Sequence, residues 1–390
     1  MLAPDHAEPQ ALHASIQAAA TPVLPVLSGW RDFGSGPGVT SVLDAGTAVW
    51  LNSGSSAILL ALRSAAVSTG DEVLVPAFNC PTMVTPVRAA GAQPVFYRIS
   101  ERLDLEIEDI AARLGPRTRA ILAPHLFGHI QDLRGLRALC DERGLTLIED
   151  CAHLYFGSAA GLPIGSVGHY AIASPRKFFP LAQGGLLVSR ERRIEMSHVS
   201  RSSIKAALRD AFDMIDLAVR SNRLHGAAWL ISAVKRLAGG TAEKDTAPVP
   251  QATDTAVVAD VPVHGASAAT ILAMKAYSRA QVDRKRRENY AAIRTRLETM
   301  RGMRLLDVQD PRAAPYMVPV ILADPIRQFP ALKSHGMPMW RWEHSIRGIC
   351  PVTDRYAESL IQLPCHQSLS VCERDALLEV LSTAEVPGPS

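Results

Sequence analysis

The sequence predicts an α/β protein: a mainly parallel sheet covered by helices on both faces, followed by a smaller C-terminal α+β domain. Three observations predict it. Between residues 50 and 190, short apolar runs of strand length alternate with amphipathic runs of helical length. The strand-length runs are apolar with few breaks, as strands buried on both faces are. Beyond residue 262 the pattern changes to one long helix, a single strong strand and a closing helix. Alternating strand and helix is the signature of parallel units stacked side by side.

The first expected element is the helix SSAILLALRSAAV (55–67), then the strand EVLVP (72–76). A strand at PVFYRI (94–99), a helix at IEDIAARL (107–114) and a strand at RAILAP (119–124) follow. The helix DLRGLRALCDERG (132–144) ends on a glycine and leads into the strand LTLIE (145–149). Two more strands are expected at HYAIAS (169–174) and GLLVS (185–189). Residues 205–238 read as a helical extension whose apolar positions suit packing, a partner or a membrane surface. The stretch GGTAEKDTAPVPQATDTAVVADVP (239–262) is rich in Gly, Pro, Thr and Asp and reads as a linker or mobile loop. The second unit has a long helix through RRENYAAIRTRLETM, a strand at YMVPVIL (316–322) and a helix at CERDALLEVL (372–381). These elements divide the chain into an N-terminal segment (1–40), a large domain (41–238, including the extension), a linker (239–266) and a small domain (267–390).

Composition narrows the function class. With 390 residues, 47% hydrophobic and 20% charged, the chain can bury a sizeable core. Its 41 basic and 38 acidic residues leave a net charge of +3, a poor match for a nucleic-acid partner. The sharpest basic run, DRKRREN (283–289), reads as a solvated helix face. Six cysteines at 80, 140, 151, 350, 365 and 372 form no CxxC pair, so free thiols in a reducing compartment are expected. Twelve histidines show no zinc-ligand spacing, and no metal is expected. No apolar run reaches the ~20 residues of a membrane span. The first thirty residues carry no Lys or Arg, which leaves a secretory signal without its charged start. A cytoplasmic location is the resulting expectation.

Lysine is scarce: seven in all, and the first is Lys177, inside ASPRKFFPLAQGG (173–185). Arg cannot lose its proton in a protein, whereas a desolvated Lys can serve as an amine nucleophile. A lysine stem that packs while its ammonium reaches water is the alternative, so the neighbourhood decides. Three features converge. NSGSSAILLAL (52–62) sets Gly54, Ser55 and Ser56 at a helix opening, where free N–H groups and the helix dipole favour phosphate; Ser is equally a good helix cap. The strand LTLIE runs into Asp150, a carboxylate whose burial demands a cationic partner. Lys177 follows a strand, with Ser174 three positions before it. In such sheets ligands sit beyond the carboxyl ends of the strands. A phosphate cradle, a strand-end Asp and a desolvated Lys are the parts pyridoxal 5'-phosphate (PLP) requires. FGSGPG (33–38) lacks a strand–turn–helix context and reads as a loop.

The stretch from Asn52 to Ser189 resembles the DegT/StrS nucleotide-sugar aminotransferases, PLP enzymes of fold type I. The resemblance is carried by NSGSSAILLAL, GDEVLVPAF, GAQPVFY, TRAILAPHLFG, GLTLIEDCAH, GSVGHYAIASPRK and GGLLVS, with echoes in RRENY and LPCHQSL. It implies that Ser55 and Ser56 meet the cofactor phosphate, Asp150 the pyridine nitrogen and His153 the ring's 3-oxygen, with Lys177 as the Schiff-base lysine. It also implies transamination from a donor such as glutamate to a keto-sugar nucleotide, in polysaccharide or glycoconjugate assembly, by a homodimer. The sequence departs from the pattern in three places. Cys80 stands where relatives place an aromatic over the cofactor, which leaves that task to Phe78 or to something smaller. Ile172 stands where a phosphate-binding Ser is usual, and Ser174 is the substitute. No Gly-x-Asn-x-Arg segment occurs near residue 260, where HGASAATIL is found. A PLP enzyme with another reaction or a non-sugar substrate, and a non-catalytic PLP-holding protein, remain the rival readings.

Overall fold

The computed structural model describes residues 7–29, 32–34, 38–197, 199–237, 261–342 and 345–386. Its large sheet is built from β1 (Thr47–Leu51), β2 (Glu72–Pro76), β3 (Gln93–Tyr97), β4 (Thr118–Pro124) and β5 (Thr146–Asp150). After a short hairpin, β6 (Ser158–Ala159) and β7 (Leu162–Pro163), it is completed by β8 (Tyr170–Ala173) and β9 (Gly185–Ser189). The order is β1-β9-β8-β5-β4-β2-β3, and β9 alone runs against the rest.

The apolar runs are continuous because both faces are covered. Strand side chains alternate, so Val73, Val75, Ala120, Leu122 and Ile148 point one way, onto α2 (Gly54–Ser64) and α3 (Pro81–Ala89). Leu74, Ile121, Ala123 and Leu147 point the other way. There they meet α4 (Ile107–Ala112), α5 (Arg134–Arg143) and the small domain. Gly144 ends α5 with φ 64°, in the left-handed region that favours glycine, as the sequence predicts. The strand β1 and the helix α3 have no counterpart in the sequence reading. Two prolines in α3, Pro81 at its first turn and Pro86 inside, disguise it.

The expected helical extension is two helices, α6 (Ile204–Arg220) and α7 (Ala228–Leu237). Asn222 and Leu224 separate them at φ 55° and 48°, where a helix cannot continue. Ile204, Leu208, Leu217 and Trp229 remain exposed on this pair. Of the expected linker, residues 239–260 lie outside the described residues, as do 35–37 of FGSGPG. The linker's last residues are ordered into β11 (Val263–His264), which pairs in parallel with β10 (Val199–Ser200).

After α8 (Ala268–Ala276) and α9 (Arg279–Leu297) comes the small antiparallel sheet. It is formed by β12 (Met303–Leu305), β13 (Met317–Leu322), β14 (Trp340–Arg341) and β15 (Leu360–Pro364), in the order β12-β13-β15-β14. One face packs Val318, Val320, Ile361 and Leu363 against α9, α10 (Pro325–Ser334) and α12 (Val371–Ser382). The other face, with Met317, Ile321 and Leu360, joins the core of the large domain together with Tyr356 of α11 (Pro351–Ser359). The N-terminal helix α1 (Ala7–Ala20) buries Ala14 and Ala18 in the small-domain core beside α12, so the first segment of the chain is part of the last domain.

Candidate active site

A cavity of about 370 Å³ opens beyond the carboxyl ends of β4, β5 and β8, between the large domain and the small sheet. Its floor is the start of α2. Ser53 caps that helix by accepting from the Ser56 N–H at 3.1 Å, leaving the Gly54 and Ser55 N–H groups without a helical acceptor. Ser53, Gly54 and Ser55 line the cavity, and the Ser55 hydroxyl donates to the Thr82 carbonyl at 2.8 Å. Ser174 closes the same corner: a Cβ on Gly54 would sit 3.5 Å from the Ser174 Cβ. A side chain at Gly185 would fall on the Ser53 carbonyl, so this glycine lets β9 press against the helix start.

Asp150 is the last residue of β5 and is buried against the cavity. Burial raises its pKa, opposed by the Ala152 N–H, which donates to Oδ1 at 2.8 Å, and by the charge of Lys177. Its neighbour Glu149 has a different task. Burial alone would raise its pKa, yet His125, at 3.0 Å, and the Gly165 and Gly168 N–H groups hold it below the usual value. The Gln131 N–H donates to His125 Nδ1, so Nε2 carries the ring proton and donates to Glu149. His125, Glu149 and Cys151 are close enough to ligate an ion, but both nitrogens of His125 are already engaged.

His153, three residues past Asp150, stacks on Tyr316 with ring centroids 4.2 Å apart. Its Nδ1 is buried without a hydrogen-bond partner among the described residues. Burial and the Lys177 charge pull its pKa well down, so the ring is neutral at ordinary pH.

Lys177 ends the short 3₁₀ turn Pro175–Lys177 that follows β8, and it lines the cavity with Asp150 and His153. Its Nζ lies 5.4 Å from the Tyr316 ring centroid. Burial lowers its pKa, while the charge of Asp150 opposes that shift. The backbone here is held from the far domain by Arg286, a fully buried arginine. Its guanidinium donates to the carbonyls of Lys177 (2.7 Å), Pro315 (3.1 Å) and Tyr316 (3.0 Å) and lies over the Phe178 ring. Arg286 corrects the reading of DRKRREN as a wholly solvated face. The signal was available, because Val282, Arg286, Tyr290, Ile293 and Leu297 form one buried stripe in which the arginine holds an apolar position.

The structure brings Gly54, Ser55, Cys80, Asp150, His153, Ser174 and Lys177 to the cavity wall. It leaves out two expected residues. The Ser56 hydroxyl is used within the cap, donating to Asn52 Oδ1 at 2.7 Å. Phe78 is fully buried and stacks on Trp342 (centroids 4.7 Å, planes 11° apart), so it does not cover a cofactor. The aromatic lining comes instead from Tyr316, Trp340 and Trp342 of the small domain, which the sequence reading did not assign. Cys80 stands at the N-cap position of α3 without a side-chain capping bond, its Sγ 2.9 Å from Thr82 Oγ1.

Residues 38–207 match the sequence profile of the DegT/DnrJ/EryC1/StrS aminotransferase family. The chain is 36% identical over 145 residues to GDP-perosamine synthase of Vibrio cholerae, covering 36% of this chain and 40% of that protein. It is 37% identical over 150 residues to a UDP-N-acetyl-3-dehydro-alpha-D-glucosamine 3-aminotransferase of Acidithiobacillus ferrooxidans, covering 37% and 40% respectively. These matches thus span about two fifths of the curated relatives' length. Among solved structures, the aminotransferase TlmJ of Streptoalloteichus hindustanus superposes with a TM-score of 0.61 at 20% identity, over 98% of this chain and 96% of that one. An aminotransferase of Psychrobacter cryohalolentis does so with a TM-score of 0.60 at 18% identity, over 98% of both chains. At such identities the likeness is one of fold, and it extends to the small domain that the profile match does not reach. In the profile match over residues 38–207, and in the site at the strand ends that this stretch builds, the chain is similar to the DegT/DnrJ/EryC1/StrS aminotransferase family.

Proposed function

We propose that the protein is a PLP-dependent aminotransferase that moves an amino group from a donor such as glutamate to a keto-sugar nucleotide. The observation that carries this reading is one cavity lined by an amine and a buried carboxylate above an open helix start: Lys177, Asp150 and the Gly54–Ser55 turn.

The residues fit PLP. The Gly54 and Ser55 N–H groups and the Ser174 hydroxyl suit its phosphate. Asp150, buried with a raised pKa, gains a cationic partner in a pyridinium. The orphan His153 Nδ1 gains a neighbour in the ring's oxygen. When bound, PLP supplies an electron sink for the carbon that carries the transferred nitrogen.

The chain's own residues supply the rest. Asp150 holds a proton at the pyridine nitrogen. Lys177 Nζ, whose pKa burial depresses, is the amine placed to take and return a proton at the reacting carbons. Arg286 fixes the turn that carries Lys177, and the stacked pair His153–Tyr316 walls the cavity from the small-domain side. In place of the usual aromatic, Cys80 presents a thiol, which leaves room on that side. Polysaccharide or glycoconjugate assembly, a homodimer and a cytoplasmic location complete the reading. Among the described residues no helix is long and apolar enough to cross a membrane.

A donor amino acid supplied alone tests this reading. Glutamate should yield one equivalent of 2-oxoglutarate per site and then stop, with the cofactor's visible absorption lost until a keto-sugar nucleotide is added. A donor that reacts for many turnovers without an acceptor, or no donor that reacts at all, would refute it.

A further inference from the structure

We propose that Gln362, flanked by Trp340 and Trp342, forms a docking wall for a hydroxyl-bearing sugar ring of the acceptor; this rests on reading the cavity as the transamination site. In β15 the sequence LIQLP alternates, sending Ile361 and Leu363 to the helix side and Leu360 and Gln362 to the other. Register pairs Gln362 with Pro319 on one side and Trp340 on the other, so these side chains share a face. Gln362, Trp340 and Trp342 all line the cavity.

Gln362 is 2% exposed and Trp342 is 8% exposed. Their Gln362 Oε1 and Trp342 Nε1 atoms are buried and have no hydrogen-bond partner among the described residues. An amide on a strand otherwise apolar, with its oxygen unpaired, destabilises the fold unless something else satisfies it. Trp340, at 37% exposed, adds a flat apolar surface reachable from the cavity.

The wall therefore offers an acceptor oxygen, an N–H donor and indole faces within one surface. A sugar ring matches all three, with hydroxyls for Gln362 Oε1, ring or hydroxyl oxygens for Trp342 Nε1, and C–H faces for the indoles. A donor's carboxylate could bond the Trp342 N–H but has no hydrogen to give, so it would leave Gln362 Oε1 unpaired, whereas a sugar hydroxyl pairs with it. On that ground the wall is assigned to the acceptor. A site built to bond a hydroxyl discriminates strongly against a ligand that lacks one.

Calorimetric titration of the cofactor-loaded protein with UDP-N-acetylglucosamine, GDP-mannose, UDP and GDP tests the proposal; both sugars carry hydroxyls where a substrate has its ketone. At least one sugar nucleotide should bind more tightly than its nucleotide alone. Gln362→Leu should weaken that sugar nucleotide about tenfold. The same variant should leave UDP and GDP unchanged and hold or raise the thermal midpoint of the ligand-free protein, since it removes an unpaired buried oxygen. Three results would overturn the proposal: sugar nucleotides no tighter than nucleotides, equal weakening of UDP or GDP, or a midpoint lowered by several degrees, which would make Gln362 a structural residue. Release of 2-oxoglutarate from glutamate by the wild-type protein, measured separately, tells failure of the wall from failure of the transamination reading.

Discussion

Arg286, in the small domain, donates to the backbone carbonyl of Lys177, 109 residues earlier in the chain, at 2.7 Å. The same guanidinium ties down the carbonyls of Pro315 and Tyr316, so one side chain fixes both the lysine turn and the ring that faces it. Burial draws its pKa down to about 10, which still leaves it charged at neutral pH. Arg286→Met should strip three buried carbonyls of their donor and destabilise the protein by about 3–5 kcal/mol. Arg286→Lys keeps the charge without the planar fork and should fall between the two in thermal midpoint. Donor turnover in Arg286→Lys should drop more than its binding of PLP, if the arginine positions Lys177.

Lys177 should be the residue that borohydride links to PLP. It lines the cavity with Asp150, whereas Lys205 is on the exposed start of α6 and Lys235 pairs with Asp216 at 2.6 Å. Peptide mapping after reduction checks this, and a label on any other lysine would displace Lys177 from its proposed role.

Asp150→Asn preserves shape and removes the charge proposed to face the pyridine nitrogen. PLP should still bind through the helix start, and turnover should fall by about two orders of magnitude or more, measured as single-turnover rate with donor. Near-normal turnover would mean that another acid serves the ring.

Subunit contact should involve the α6–α7 pair, where Ile204 is 81% and Trp229 71% exposed. Sedimentation of the wild type should give a dimer. Leu208→Glu together with Trp229→Glu should shift it toward monomer, while a double variant that sediments as the wild type would place the contact elsewhere.

Acid should destabilise the fold through His366. Burial lowers its pKa to about 4, against an ordinary value of 6.5. Its Nε2 donates to the Pro22 carbonyl at 2.8 Å, and Ser368 Oγ donates to Nδ1 at 2.9 Å, so the native ring is neutral. Between these two values the unfolded chain binds the extra proton, so stability is present above pH 6.5 and is lost as pH falls toward 4. The loss should approach about 3 kcal/mol. Denaturant titrations at both ends of that window, with His366→Asn as the control that flattens the difference, measure it.

Much of the large domain was legible because its information is local. An apolar run of five residues, a helix-ending glycine at 144 and the order of Gly54, Asp150 and Lys177 along the strands are properties of neighbours in the chain. They determined the parallel sheet and the residues that line its open edge. The sequence could not reveal which side chains meet across the domain boundary, because those contacts depend on how two sheets pack. Folding turned Ser56 inward to the helix cap and hid Phe78 behind Trp342. It also brought α1 onto α12 and sank Arg286 beneath Lys177. Charge on a helix reads as surface until the other domain supplies the Lys177 carbonyl and the Phe178 ring, beside the Pro315 and Tyr316 carbonyls of its own, to bury it. The open helix start and the placing of Asp150 and Lys177 at the strand ends were therefore properties of the sequence, while the aromatic wall facing them was decided only by tertiary packing.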